Sequence, residues 1–215
     1  MIISHGRQYI FVHIPKTGGT AMALALEARA MADDLMLGDT PKASKRRRKL
    51  QYAQTAGRLW KHSTLADIEG LVTPAQMASY FTFTLVRNPW DRMVSYYHWL
   101  RDQSFDHPAV SLAQRLDFSR FVHHPHTQTA TRAMPYGGYM TGSDGVERCR
   151  AFIRLEHFGD DAAPLAQHLG FELVLAPANT SARVPDYRGY YSASDVDLVA
   201  DLCAPDIARF GYSFE

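Results

Sequence analysis

Tyr9-Ile10-Phe11-Val12-His13-Ile14-Pro15-Lys16-Thr17-Gly18-Gly19-Thr20-Ala21-Met22-Ala23-Leu24-Ala25-Leu26-Glu27-Ala28 holds three different local signals in sequence. Its first six residues are β-branched, aromatic or otherwise apolar without alternation, which predicts a central strand buried on both faces. Pro15 ends that strand and Gly18-Gly19 turn the chain. Thr20 to Ala28, rich in Ala and Leu, predicts a helix. The stretch is therefore a strand, glycine loop and helix in succession.

A second unit of the same kind follows. Tyr80 to Val86 reads as a strand, and Asn88-Pro89 supplies an N-cap with proline at the first helical position. The helix is expected over 89–101, with Trp90, Met93, Val94, Tyr97 and Leu100 at spacings of three and four forming one buried stripe. Thr73-Pro74 opens a short helix before that strand. Ala151 to Leu155 gives a third strand and Asp160 to Leu169 a helix. Phe171 to Leu175 reads as a short strand and Asp195 to Leu202 as a final helix. Strands alternating with helices predict an α/β fold of three layers, a central parallel sheet flanked by helices. Residues 102–145, with Pro108, Pro125, Pro135 and Gly137-Gly138, read as one long irregular stretch, a feature more often functional than idle in a compact domain.

At 215 residues, 46% hydrophobic and 21% charged, the chain is long enough for one full-sized globular domain and lacks the composition of disorder. No apolar run reaches the length of a membrane span, and the opening Met1 to Pro15 has no basic segment followed by an apolar one, so neither a transmembrane anchor nor secretion is expected. Cys149 and Cys203 are too few for a disulfide scaffold and lack zinc-site spacing, which fits a reducing, cytoplasmic setting. The net charge of +1 conceals an asymmetry: residues 155–215 hold three Lys/Arg against ten Asp/Glu. The remainder is correspondingly basic and should attract anions. Thr40 to His62 holds eight Lys/Arg and no acid, with Lys45 to Lys49 contiguous. Such a run is commonly a solvated face, and the sharper reading is a surface for an acidic partner or substrate. Nucleic acid is not the expected partner, because no aromatic interleaving or recognition helix accompanies the run.

A buried strand turning through glycines into a helix N-terminus aims backbone N–H groups and the positive end of the helix dipole at one place, where phosphate or sulfate binds. Lys16 adds a full charge, and Thr17 and Thr20 add hydroxyls. The order is informative. A nucleoside-triphosphate P-loop carries its lysine after the glycines, whereas here Lys16 precedes them, and the dinucleotide fingerprint G-x-G-x-x-G is not met either.

Pro15-Lys16-Thr17-Gly18-Gly19-Thr20 after a buried strand resembles the 5′-phosphosulfate loop of sulfotransferases that use 3′-phosphoadenosine 5′-phosphosulfate, PAPS. Val86 to Tyr97 is similar to the family's 3′-phosphate segment, an arginine at a strand end and a serine eight residues later on the helix. The likeness is nearest to the carbohydrate branch, the heparan 2-O-like group of sulfotransferase family 2. Asn179-Thr180-Ser181, Tyr187 to Ser192 and Asp206 to Tyr212 also look familial. The resemblance implies a single P-loop-like sulfotransferase domain over 1–215, a basic insertion near 40–62 and an acceptor side near 102–145. It implies PAPS as sulfuryl donor and no metal. Pro15, Lys16, Thr17, Gly18, Gly19 and Thr20 would hold the 5′-phosphosulfate, Arg87 and Ser95 the 3′-phosphate, and Thr180, Ser181 and Arg188 would close over the nucleotide.

Sulfuryl transfer needs charge stabilised on the transferred group and a base for the acceptor hydroxyl. Lys16 is assigned the first role. His62 is assigned the second, because the related carbohydrate enzymes carry their base histidine between the two cofactor motifs and His62 is the one histidine there. His13 is a second candidate base whose ordinary reading is a satisfied core histidine, and His98, one turn past Ser95, could line the cofactor helix. His123, His124 and His126 lack a carboxylate pattern for a metal. Asp91 suits the helix dipole, and Glu156 resembles a structural glutamate of the family. The expected partner is a hydroxyl-bearing acceptor, a saccharide or glycolipid, and an anionic one if the basic segment meets it. Two other readings stay open from sequence: a kinase-like ATP-dependent phosphotransferase, disfavoured by the missing Walker lysine, and a non-catalytic anion-binding protein. Oligomeric state is not encoded in any spacing.

Overall fold

The computed structural model describes residues 1–176 and 183–215. In chain order the N-terminal part contains β1 (Ile2–Ser4), β2 (Tyr9–Val12), α1 (Gly19–Ala28), β3 (Leu35–Met36), α2 (Pro41–Arg46), α3 (Pro74–Ser79) and β4 (Phe81–Val86). There follow α4 (Pro89–Arg101), α5 (Pro108–Arg115), α6 (Phe118–His123), α7 (Pro125–Ala133), α8 (Tyr136–Tyr139), β5 (Ala151–Arg154), α9 (Phe158–Asp161), α10 (Ala163–Leu169), α11 (Ala193–Leu202) and α12 (Ala204–Phe210). These elements group into two compact units, Met1–Val86 with Tyr136–Asn179, and Arg87–Pro135 with Thr180–Glu215.

The first unit is built on a five-stranded sheet in the order β3-β1-β2-β4-β5. β2, β4 and β5 are parallel, with Tyr9 opposite Phe81 and Phe83 opposite Ala151. That is the parallel core expected from the three apolar runs. β1 and β3 add an antiparallel edge, Ile2 facing Phe11 and Met36. β2 is central, and each of its four residues is buried, as a strand apolar on both sides must be. Phe11, Phe83, Leu85 and Ile153 from the sheet pack with Met22, Ala23 and Leu26 of α1 and Leu165 of α10. The flanking helices and sheet together make the expected α/β architecture. Leu173 and Leu175 lie against this core without entering the sheet, so the short strand expected over 171–175 is absent. Their apolar alternation supplies packing but has no ladder partner.

The second unit is helical. Trp90, Met93, Val94, Tyr97 and Leu100 of α4 pack with Ala109, Val110 and Ala113 of α5, Phe118, Phe121 and Val122 of α6, and Val199 of α11. The stretch 102–145 is therefore not irregular. Pro108 and Pro125, expected as breakers, occupy the first turns of α5 and α7, where a missing N–H is harmless. His107 and His124 cap those helices by accepting from Ala109 N and His126 N, and Asp117 caps α6 by accepting from Arg120 N. Pro and His mark helix starts here, whereas the prolines and Gly137-Gly138 read in sequence as loop.

Candidate active site

In the first unit, β2 runs through His13 and Ile14 into the glycine loop. An added Cβ at Gly19 would stand 2.0 Å from His13 Cδ2 and 2.4 Å from its Nε2, so the His13 ring fills the space where any larger residue would project. Gly18, at φ +86°, is the N-cap of α1, and a Cβ there would meet Leu155 Cδ1 at 2.8 Å. Lys16 also takes a left-handed backbone, φ +66°, an uncommon state for a residue with a Cβ. The N-cap position of α1, Gly18, makes no side-chain capping bond. The first-turn N–H groups of the helix are thus not consumed by a side chain at the N-cap. Thr17 is fully buried and its Oγ1 donates to Ile14 O at 2.9 Å. That hydroxyl braces the loop and is committed to a backbone carbonyl.

His62 sits beside this loop. Its Nδ1 lies 2.7 Å from the carbonyl oxygen of His13, which can only accept. The proton of the neutral ring therefore resides on Nδ1, and Nε2 carries the lone pair. The ring meets His13 edge-on at 4.6 Å and Trp60 at 5.0 Å. Burial is the largest influence on its titration and, with the charge of Lys61, pushes the pKa down to about 4 against the opposing pull of the His13 carbonyl. Burial likewise holds His13 well below the usual histidine value, with the charges of Lys61 and Lys16 acting the same way. Both rings are neutral at pH 7. His13, 6% exposed and stacked on Phe11, is the core histidine that the sequence favoured.

In the second unit, Asp91, Ser95 and His98 recur at intervals of four and three along one face of α4, and Arg87 lies just before the helix, four residues ahead of Asp91. Asp91 does more than meet the helix dipole. Its Oδ2 accepts from Arg87 Nε at 2.8 Å and from an Arg87 terminal nitrogen at 2.6 Å, and its Oδ1 accepts from Arg183 at 2.6 Å. One carboxylate thus holds two mostly buried guanidiniums, leaving net positive charge. Among the described residues the other terminal nitrogen of Arg183 and Nε2 of His98 are buried without a hydrogen-bond partner. Burial and the charges of Arg101 and Arg183 keep the His98 pKa low. Ser95 is buried on the same face.

Arg183 is the residue that sequence reading passed over. It is one of only three basic residues in 155–215, and that scarcity was the available signal. Arg188 is exposed, paired with Asp186 at 3.2 Å and donating to Phe214 O at 3.3 Å. Thr180 and Ser181 lie outside the described residues. His123 bonds the buried Asp195 through Nε2 at 2.9 Å, while His124 and His107 serve as caps. Among the described residues no three His, Cys, Asp or Glu side chains group as metal ligands, and no helix is long and apolar enough to cross a membrane.

The model of the sulfotransferase family matches residues 1–192. The chain belongs to that family, and its reaction is the transfer of a sulfuryl group from PAPS to a hydroxyl-bearing acceptor. Among solved structures it is similar to mouse sulfotransferase SULT7A1 complexed with PAP, at a TM-score of 0.51 and 15% identity. That match covers 94% of this chain and 84% of the other, a likeness of fold. Comparison with curated proteins by sequence returns no match.

Proposed function

We propose that this sulfotransferase works as one domain over 1–215 and sulfates a hydroxyl of a carbohydrate or glycolipid, with His62 as general base. The observation that carries the assignment of the base is the bond from His62 Nδ1 to the His13 carbonyl. It fixes the tautomer, so Nε2 is the atom that takes the hydroxyl proton. Burial starts the ring neutral and ready to accept. Once protonated, the ring shares its charge with the His13 carbonyl dipole, which keeps the imidazolium in place.

The donor fits the residues present. Two glycines whose Cβ positions are blocked by His13 and Leu155, a helix start whose N-cap makes no side-chain bond, and Lys16 suit a doubly ionised phosphosulfate. Pro15 to Thr20 hold it in this reading, and Lys16 neutralises charge on the leaving side. Arg87 and Ser95 hold the 3′-phosphate, joined by Arg183, whose unpartnered buried nitrogen a phosphate oxygen would satisfy. Arg188, Thr180 and Ser181 are assigned to the nucleotide by motif likeness alone. Bound PAPS supplies the activated sulfuryl group; the chain supplies position, charge and a base. A carbohydrate acceptor is supported by the likeness of the Val86 to Tyr97 segment to the carbohydrate branch. Cys149 and Cys203, neither of them in a disulfide, support a cytoplasmic setting.

The test is calorimetric titration of PAP, with 5′-AMP and ATP alongside, on wild type and Arg87→Ala, followed by transfer from labelled PAPS to saccharide and glycolipid acceptors. PAP is expected to bind at least about tenfold more tightly than 5′-AMP, and Arg87→Ala is expected to erase the difference. ATP binding equal to PAP binding, indifferent to Arg87, would overturn the donor-site assignment.

A further inference from the structure

The basic segment divides into two faces. Lys42 Nζ donates to Glu27 O at 2.7 Å, Arg46 to Met31 O at 2.7 Å, and Lys49 Nζ to Ala32 O. These residues are spaced four and three apart, the repeat of one helical face, and they brace the segment against the end of α1 and the turn after it. Arg47 and Arg48 point elsewhere. They line an open cavity of about 780 Å³ together with Arg58, Trp60 and Lys61. Lys61 is paired with Asp39 at 2.8 Å, and Asp39 is the one acid among the lining residues. Among the described residues no carboxylate pairs with Arg47, Arg48 or Arg58. A solvated face needs no concavity, and here three arginines are among the residues that line one.

Trp60 connects this cavity to the chemistry. Its indole is 46% exposed, lies under the Arg58 guanidinium at 5.8 Å, and meets the ring of His62 at 5.0 Å. A flat, half-exposed aromatic wall is a stacking surface for the apolar face of a sugar ring. Guanidinium forks match carboxylate and sulfate oxygens in pairs. We propose that the cavity is the acceptor subsite and takes a sugar ring carrying an anionic substituent, stacked on Trp60 so that a ring hydroxyl reaches His62. This rests on the carbohydrate acceptor and on the role of His62 proposed above. Arg47, Arg48 and Arg58 read the anion, and Trp60 reads the ring.

The experiment titrates methyl β-D-glucuronide, methyl β-D-glucoside 6-sulfate and methyl β-D-glucoside into the protein by calorimetry, at low and at physiological salt. At least one anionic glycoside is expected to bind about tenfold more tightly than the neutral one, and its identity separates carboxylate from sulfate. The preference should shrink at the higher salt. It should vanish in Arg47→Gln/Arg48→Gln with the thermal midpoint unchanged, and Trp60→Ala should weaken all three glycosides. Equal binding of all three by wild type, or a preference that survives the double variant, overturns the inference. PAP titrated in parallel reports on the glycine loop separately, so failure of the cavity and failure of the donor-site reading appear in different titrations.

Discussion

The imidazole of His13 occupies the position that a side chain on Gly19 would need, with Cδ2 only 2.0 Å from the Cβ such a residue would bring. The loop and His62 are therefore mechanically linked, because His13 also packs edge-on against His62 at 4.6 Å and its backbone carbonyl accepts a hydrogen bond from His62 Nδ1. Gly19→Ala should displace His13 into His62 or push the first turn of α1 away from the loop. We expect a loss of about 1–3 kcal/mol in stability, typical of forced overpacking. PAP affinity and kcat should fall together. Unchanged PAP affinity in a folded Gly19→Ala protein would show that the loop is not the anion cradle.

His62 should be separable from binding. His62→Asn is expected to leave PAP affinity within about threefold of wild type while lowering kcat by about 10² to 10⁴, the range for loss of a general base. The acid limb of the wild-type rate profile should lie well below pH 6.5, since burial holds the pKa of this ring at about 4 in the free protein. Above that limb the base is neutral and activity should be flat through neutrality. The variant's residual rate should lack the limb. A variant with wild-type kcat would return the role of base to another group.

The strand, glycine loop and helix of 9–28 were readable from local order alone. A run such as Tyr9 to Ile14 with no polar alternation admits only a strand covered on both faces, and Lys16 ahead of two glycines excludes the triphosphate loop. What stayed hidden depends on residues distant in sequence. β1 and β3 are three and two residues long, too short to show a period; β1 exists because β2 offers a ladder to Ile2 and Ile3, and β3 because β1 in turn pairs with Leu35 and Met36. The helices of 102–145 were obscured because proline marks both loops and first turns, and only packing on Val94 and Tyr97 decides between them. The split of the basic segment needed the carbonyls of Met31 and Ala32, which no spacing reveals. The bond between His62 and His13 spans forty-nine residues and belongs to the same class.

Asp91 holds Arg87 and Arg183 on its two oxygens, and removing its charge should release both. Asp91→Asn is expected to cost about 3 kcal/mol, because two largely buried cations lose their counter-ion. The milder variant Arg183→Gln keeps the pair of Asp91 with Arg87. It should weaken PAP by about tenfold with little change for 5′-AMP, and kcat at saturating PAPS should be retained. Discrimination of PAP from 5′-AMP by titration is the readout. If Arg183→Gln weakens both nucleotides equally, Arg183 serves the fold and not the 3′-phosphate.

The buried histidines also set how stability responds to pH. A histidine whose folded pKa lies below its unfolded value of about 6.5 takes up its proton more readily in the unfolded chain. With more protons bound to the unfolded state, stability rises with pH, and the slope is about 1.4 kcal/mol per pH unit for each proton withheld. His62, held at about 4, and His13 and His98, both pushed down by burial, all act in this direction. Their contribution is complete above about pH 6.5 and is progressively lost as pH falls toward 4. The carboxylates Asp39 and Asp161, lowered by bonds from Lys61 and Arg154, add losses in the same direction as pH falls below the ordinary carboxylate range. Denaturant unfolding of wild type and His62→Asn at pH 7, 6 and 5 isolates one group from the rest. The variant should lose stability less steeply between pH 6 and 5, by up to one proton's share of the slope. Parallel curves for the two proteins would mean that His62 titrates normally in the fold, and the neutral, buried base would have to be abandoned.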